Sequence, residues 1–93
     1  MAFALLTTTA FEKDLRRVEK QGKDLDKLEE VVNLLQAQQP LPPRCRPHAL
    51  RGNWSGHWDC HVKPDWFLLY RVTATELILV RTGSHSDKAD YYH

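Results

Sequence analysis

The chain has 93 residues, of which 42% are hydrophobic and 27% charged, with 13 Lys/Arg, 12 Asp/Glu and five histidines. That length suits a single domain over residues 1–93 with one small core, and the lack of any run of about 18 apolar residues excludes a membrane-spanning helix. The opening MAFALLTTTAFEKDLRR has no basic region ahead of its apolar stretch, so no signal peptide is expected and the cytoplasm is the default location; Cys45 and Cys60 are then expected to be reduced thiols.

Residues 2–8 (AFALLTT) read as a short first strand. Thr9 and Glu12 have the spacing of a capping box. Phe11, Leu15 and Val18 then recur on one face of an amphipathic helix that ends near Gly22. Asp24 or Asp26 can cap a second helix, with Leu25, Leu28, Val31 or Val32, and Leu35 as its apolar stripe and Pro40 as its stop. Residues 40–53 carry four of the five prolines and read as a loop.

Three strand-like runs follow. In residues 54–62 alternation puts Trp58, Cys60 and Val62 on one face, with Asp59 and His61, followed by Lys63, on the other. Residues 66–72 are mostly apolar, and residues 77–85 form the last run. The predicted order is β-α-α-β-β-β, an α+β fold in which an N-terminal helical hairpin packs on a small antiparallel meander.

Charge is uneven along the chain. Residues 1–39 hold six Lys/Arg against seven Asp/Glu, whereas residues 40–93 hold seven against five together with all five histidines. In a meander, the end of the last strand lies beside the start of its neighbour. Arg81 and His85 are therefore expected to approach Asp65 and Trp66, with His61 across the adjacent hairpin.

Histidines, an arginine and a carboxylate, without a serine elbow or Gly-rich phosphate loop, suit phosphodiester cleavage in RNA. RNA supplies its own nucleophile, the 2′-OH. The enzyme needs a base for that proton, an acid for the leaving 5′-oxygen and a cation for the phosphorane charge. Singly, each residue has an ordinary structural explanation; their convergence is what marks a site. Cys45-x-x-His48 and His57-x-x-Cys60 imitate zinc-ligand spacings. The second pair lies along a strand rather than on a knuckle, and no metal or other cofactor is expected.

His48 with Leu50 and Gly52, W-x-G at 54–56, D-x-H-V-x-P-D-W at 59–66 and R-T-G-x-H at 81–85 together make residues 48–85 closely similar to the YafQ branch of the RelE/ParE toxin superfamily. The resemblance implies a RelE-like fold and a ribosome-dependent endoribonuclease, an mRNA interferase that cuts mRNA in the A site of the 70S ribosome without a metal. It implies His48, His61, Asp65 and His85 as the acid–base set and Arg81 on the phosphate. His85 would be the acid, and His48 or His61 the base. Trp66, Lys63, Arg51, Tyr91 and Tyr92 are the expected RNA contacts. The two tyrosines stand in for an aromatic commonly found four residues after the last histidine, where this chain has Ala89. The implied partner is a cognate antitoxin, often of ribbon-helix-helix type, through which the pair binds operator DNA. Two rival readings share the fold: a ParE-like gyrase inhibitor, which generally lacks the histidine set, and a non-catalytic nucleic-acid or partner-binding module.

Overall fold

Thr8, one residue before the predicted cap, starts the first helix. Its Oγ1 accepts from the Phe11 amide at 3.0 Å and donates to the Val80 carbonyl at 2.8 Å. One hydroxyl thus caps the helix and ties it to the last strand. Glu12 instead accepts from the Thr7 hydroxyl at 2.7 Å. In this computed structural model, which describes residues 2–86, the elements are β1 (Ala4–Thr7), α1 (Thr9–Lys20), α2 (Leu25–Gln36), β2 (His48–Ala49), β3 (His57–Lys63), β4 (Trp66–Val72) and β5 (Glu76–Gly83). Single 3₁₀ turns at Pro43–Cys45 and Gly52–Trp54 flank β2. Asp24 caps α2, accepting from the Asp26 amide at 3.0 Å.

The strands form one sheet in the order β1-β5-β4-β3-β2. It is α+β as expected, but not a pure antiparallel meander. β1 runs parallel to β5, with Leu5 opposite Leu77. β2 lies inside the stretch read as loop and pairs antiparallel with β3 through His48↔Asp59 and Ala49↔Trp58. Two residues are too few to show alternation in a sequence, and β2 exists only because β3 offers its edge; the Leu50 amide closes the pairing by donating to the His57 carbonyl at 2.9 Å.

One face of the sheet carries the helices. Phe11 and Val18 of α1, Leu28, Val31 and Val32 of α2, and Cys60, Val62, Trp66, Leu68, Tyr70, Leu77 and Leu79 of the sheet make one buried cluster. Residues paired across strands share a face, so Asp59, Leu69 and Arg81, aligned by the registers Asp59↔Leu69 and Leu69↔Arg81, lie on the other. Among the described residues, no helix is long and apolar enough to cross a membrane.

Two irregularities set what that second face displays. Strict alternation along β5 would send Arg81 into the core after Leu77 and Leu79. The ladder passes from Leu79↔Tyr70 to Arg81↔Leu69 and leaves Val80 as an extra residue. That bulge moves Arg81 to the second face and Thr82 to the core side. A second bulge lies between His61 and Lys63, at the Pro64–Asp65 turn into β4. Neither turn residue takes a positive φ, so this is not the mirror-image turn whose twist matches a two-residue hairpin, and the bulge accommodates the difference.

Candidate active site

Three of the predicted residues meet where the β3–β4 turn faces the end of β5. The imidazole rings of His61 and His85 stack with centroids 5.6 Å apart and planes inclined by 28°. Asp65 Oδ1 accepts twice from His85, from its backbone amide at 3.2 Å and from Nδ1 at 3.1 Å. Donation from Nδ1 leaves Nε2 as the nitrogen that exchanges protons. The Nδ1 of His61 is buried and has no hydrogen-bond partner. Both members of the Asp65–His85 pair stay open to water, with side chains 74% and 50% exposed.

His48 joins from the sheet edge. Its register partner is Asp59, two residues before His61 on the same face. His48 Nε2 lies 3.5 Å from Asp59 Oδ2, and the Asp59 side chain is fully buried. Nδ1 lies 3.1 Å from the Arg46 carbonyl, to which it donates. Both ring nitrogens therefore face oxygen atoms. Arg46 reaches this position with φ 44°, a left-handed conformation that costs a residue with a side chain about 1 kcal/mol or more. His57 stands apart, edge-on to Trp54 at 5.1 Å.

Arg81 is held more tightly than the sequence implied. Its Nε and Nη2 donate to the two oxygens of Asp14 at 2.7 and 3.1 Å. Asp14 also accepts from Arg17 Nη2 at 3.1 Å and from the Thr82 amide at 3.2 Å. A buried carboxylate thus fixes one edge of the guanidinium and joins α1 to the end of β5.

Trp66 requires a correction. Its ring is only 2% exposed within the core, its Nε1 donates to Thr82 Oγ1 at 2.9 Å, and that hydroxyl donates to the Phe67 carbonyl at 2.7 Å. It supports the base of the site and offers no surface for a base to stack on. Lys63 and Arg51 are exposed. Tyr91 and Tyr92, with Ala89, lie outside the described residues.

The two thiols take no part. Cys45 and Cys60 are free and buried, and burial pushes both thiols up, Cys60 further by the nearby Cys45 and Asp59. Alternation sends Cys60 into the core and His57 to the opposite face, so the zinc-like spacing does not gather its four residues into one ligand set. Among the described residues, no group of three or more His, Cys, Asp and Glu is placed to hold a metal ion.

Two carboxylates went unassigned in the sequence. Asp59 shares its alternation with His61, which was a usable signal. Asp14 occupies the i+3 position on the apolar stripe begun by Phe11; a charged residue there demands a buried partner.

The family model described as the bacterial toxin of type II toxin–antitoxin systems, YafQ, matches residues 3–89. The mRNA interferase toxin YafQ of Escherichia coli K12 is 40% identical over 77 residues, spanning 82% of this chain and 84% of that protein. The toxin in the E. coli DinJ–YafQ toxin–antitoxin complex superposes with a TM-score of 0.86 at 35% identity, covering 94% of this chain and 97% of that one. A metal-bound toxin from Helicobacter pylori gives a TM-score of 0.86 at 40% identity, covering 94% and 98%.

Proposed function

Since the chain belongs to the YafQ family of bacterial type II toxin–antitoxin toxins, we propose that it is a cytoplasmic, ribosome-dependent endoribonuclease that cuts mRNA in the A site. The observation that carries this reading is the meeting of His61, Asp65 and His85 at one end of the sheet.

The 2′-oxygen of the RNA attacks the adjacent phosphorus as a base takes its proton. The bond from phosphorus to the 5′-oxygen breaks as an acid protonates that oxygen. The products are a 2′,3′-cyclic phosphate, or the 3′-phosphate derived from it, and a 5′-OH. His85 is the acid: Asp65 fixes its Nδ1–H and so presents Nε2 to the leaving group. His61, stacked on His85, suits the base better than His48, whose two nitrogens already face oxygens. Arg81, oriented by Asp14, stabilises the phosphorane charge.

The metal-bound relative and the DinJ–YafQ complex describe those proteins. For this chain the complex supports a cognate antitoxin as partner; we further propose that this antitoxin is of ribbon-helix-helix type and that the pair binds operator DNA through it.

Primer extension on defined mRNA with purified ribosomes tests the reading. A new 3′ end in the A-site codon is expected with the parent and not with His85→Ala or Arg81→Ala. Intact mRNA with the parent, in cells whose growth it still blocks, would overturn the ribonuclease and direct attention to gyrase.

A further inference from the structure

The 3₁₀ turn at Pro43–Cys45 is anchored by Cys45, 1% exposed in the core cluster that also contains Cys60 of β3. Burying Cys45 turns its two chain neighbours outward, and Arg44 and Arg46 are both exposed. They face the end of β3, where Lys63 and Pro64 are exposed as well. These four residues, with His61 and Val62, line one open groove.

The groove has three properties that belong together. Among the described residues none that line it is acidic, and Arg44, Arg46 and Lys63 have no ion-pair partner. Elsewhere on the molecule Arg81 and Arg17 share Asp14, and Lys27 lies 4.0 Å from Glu30. Three cations gathered without a carboxylate repel one another and raise the local positive potential. The groove is also continuous with the site, because His61 lines it and stacks on His85. Finally, among the described residues no aromatic ring other than His61 lines it, so these residues offer charge to a backbone and no stacking platform to bases.

We infer that this groove is a track for the RNA backbone, in which Arg44, Arg46 and Lys63 seat phosphates flanking the scissile one without reading their bases. The inference rests on the ribonuclease reading for its choice of ligand, RNA rather than an acidic protein segment. It adds Arg44 and Arg46 to the RNA contacts and assigns the groove an affinity role separate from the chemistry. Phosphate contacts position a strand and carry no sequence information.

The test is fluorescence anisotropy of a labelled single-stranded RNA, 2′-O-methylated throughout so that it cannot be cleaved, titrated with the full chain over a salt series. The parent is compared with the triple variant Arg44→Gln, Arg46→Gln, Lys63→Gln, and with Lys63→Glu alone in case the triple variant folds poorly by circular dichroism. Each phosphate contact on a single strand contributes about 0.7 to the log–log salt slope. The triple variant should therefore lose about 2 from the slope and roughly 100-fold in affinity near 0.1 M salt, equally for RNAs of different sequence. Lys63→Glu should move both in the same direction. An unchanged slope and affinity in a folded variant, or no measurable binding by the parent, overturns the track. So does a variant that keeps its RNA slope while losing affinity for an acidic peptide, which would make the groove a protein-binding surface. A parent that shows the slope effect but leaves ribosomal mRNA intact would sink the ribonuclease reading and leave the track standing.

Discussion

Asp14 and Asp65 both take donors from the last stretch of the chain, and their surroundings give them opposite work. Asp14 has a side chain only 2% exposed and accepts from Arg81, Arg17 and the Thr82 amide. A carboxylate with that many donors locks α1, β5 and the guanidinium into one arrangement. Asp65 is 74% exposed and holds a single residue, His85, by its amide and its ring. Water reaches that pair, so a proton can arrive and leave. Burial makes the first carboxylate a structural clamp, and exposure leaves the second able to serve proton transfer.

The contrast can be broken most forcefully at Asp14. Asp14→Ala strands the Arg81 guanidinium and the Thr82 amide and should cost about 3 kcal/mol of stability, read as a lower midpoint in urea unfolding. Asp65→Asn should leave that midpoint within about 0.5 kcal/mol of the parent. Its effect belongs in catalysis, where a misplaced His85 ring should lower cleavage by about 10²-fold. Equal losses of stability from the two variants would erase the distinction.

The thiols sharpen it at alkaline pH. Cys60 titrates from 9.0 when unperturbed and is raised by burial in the folded chain. The unfolded chain therefore gives up this proton first, so the stability tied to the neutral thiol is complete below pH 9 and declines as pH rises above it. The expected slope is about 1.4 kcal/mol per pH unit for each such group. Cys60→Ala should flatten the decline in melting temperature between about pH 9 and 10.5, whereas Asp65→Asn should leave it unchanged. The smallest effect is at the helix start: Thr8→Ala should cost about 1 kcal/mol, visible as a shifted thermal midpoint.

Much of this was legible in residue order. The apolar spacing of Phe11, Leu15 and Val18, the Asp24 cap and the alternation of Asp59 with Cys60 depend on neighbours within a turn or a pleat. His61, Asp65 and His85 could be brought together from strand order alone, because antiparallel neighbours place the end of one strand beside the start of the next. The parallel pairing of β1 with β5 was not legible. It depends on where the helical hairpin returns the chain, and no local pattern encodes that. β2 was missed because two residues carry no periodicity.

The aromatic at position 66 shows the same limit. Next to Asp65 in a polar stretch, Trp66 is an expected RNA contact, yet Thr82, sixteen residues on, receives its indole N–H inside the core. By itself the sequence determined the helices, the main strands and the family, and it picked out the candidate site residues, since those follow from short-range spacing and motif chemistry. Only the tertiary structure decided that Val80 bulges out of the ladder, so that Arg81 leaves the core side, and that Asp14 of a distant helix receives it. A bulge is settled by how two strands twist against each other, and a buried carboxylate by what comes to meet it.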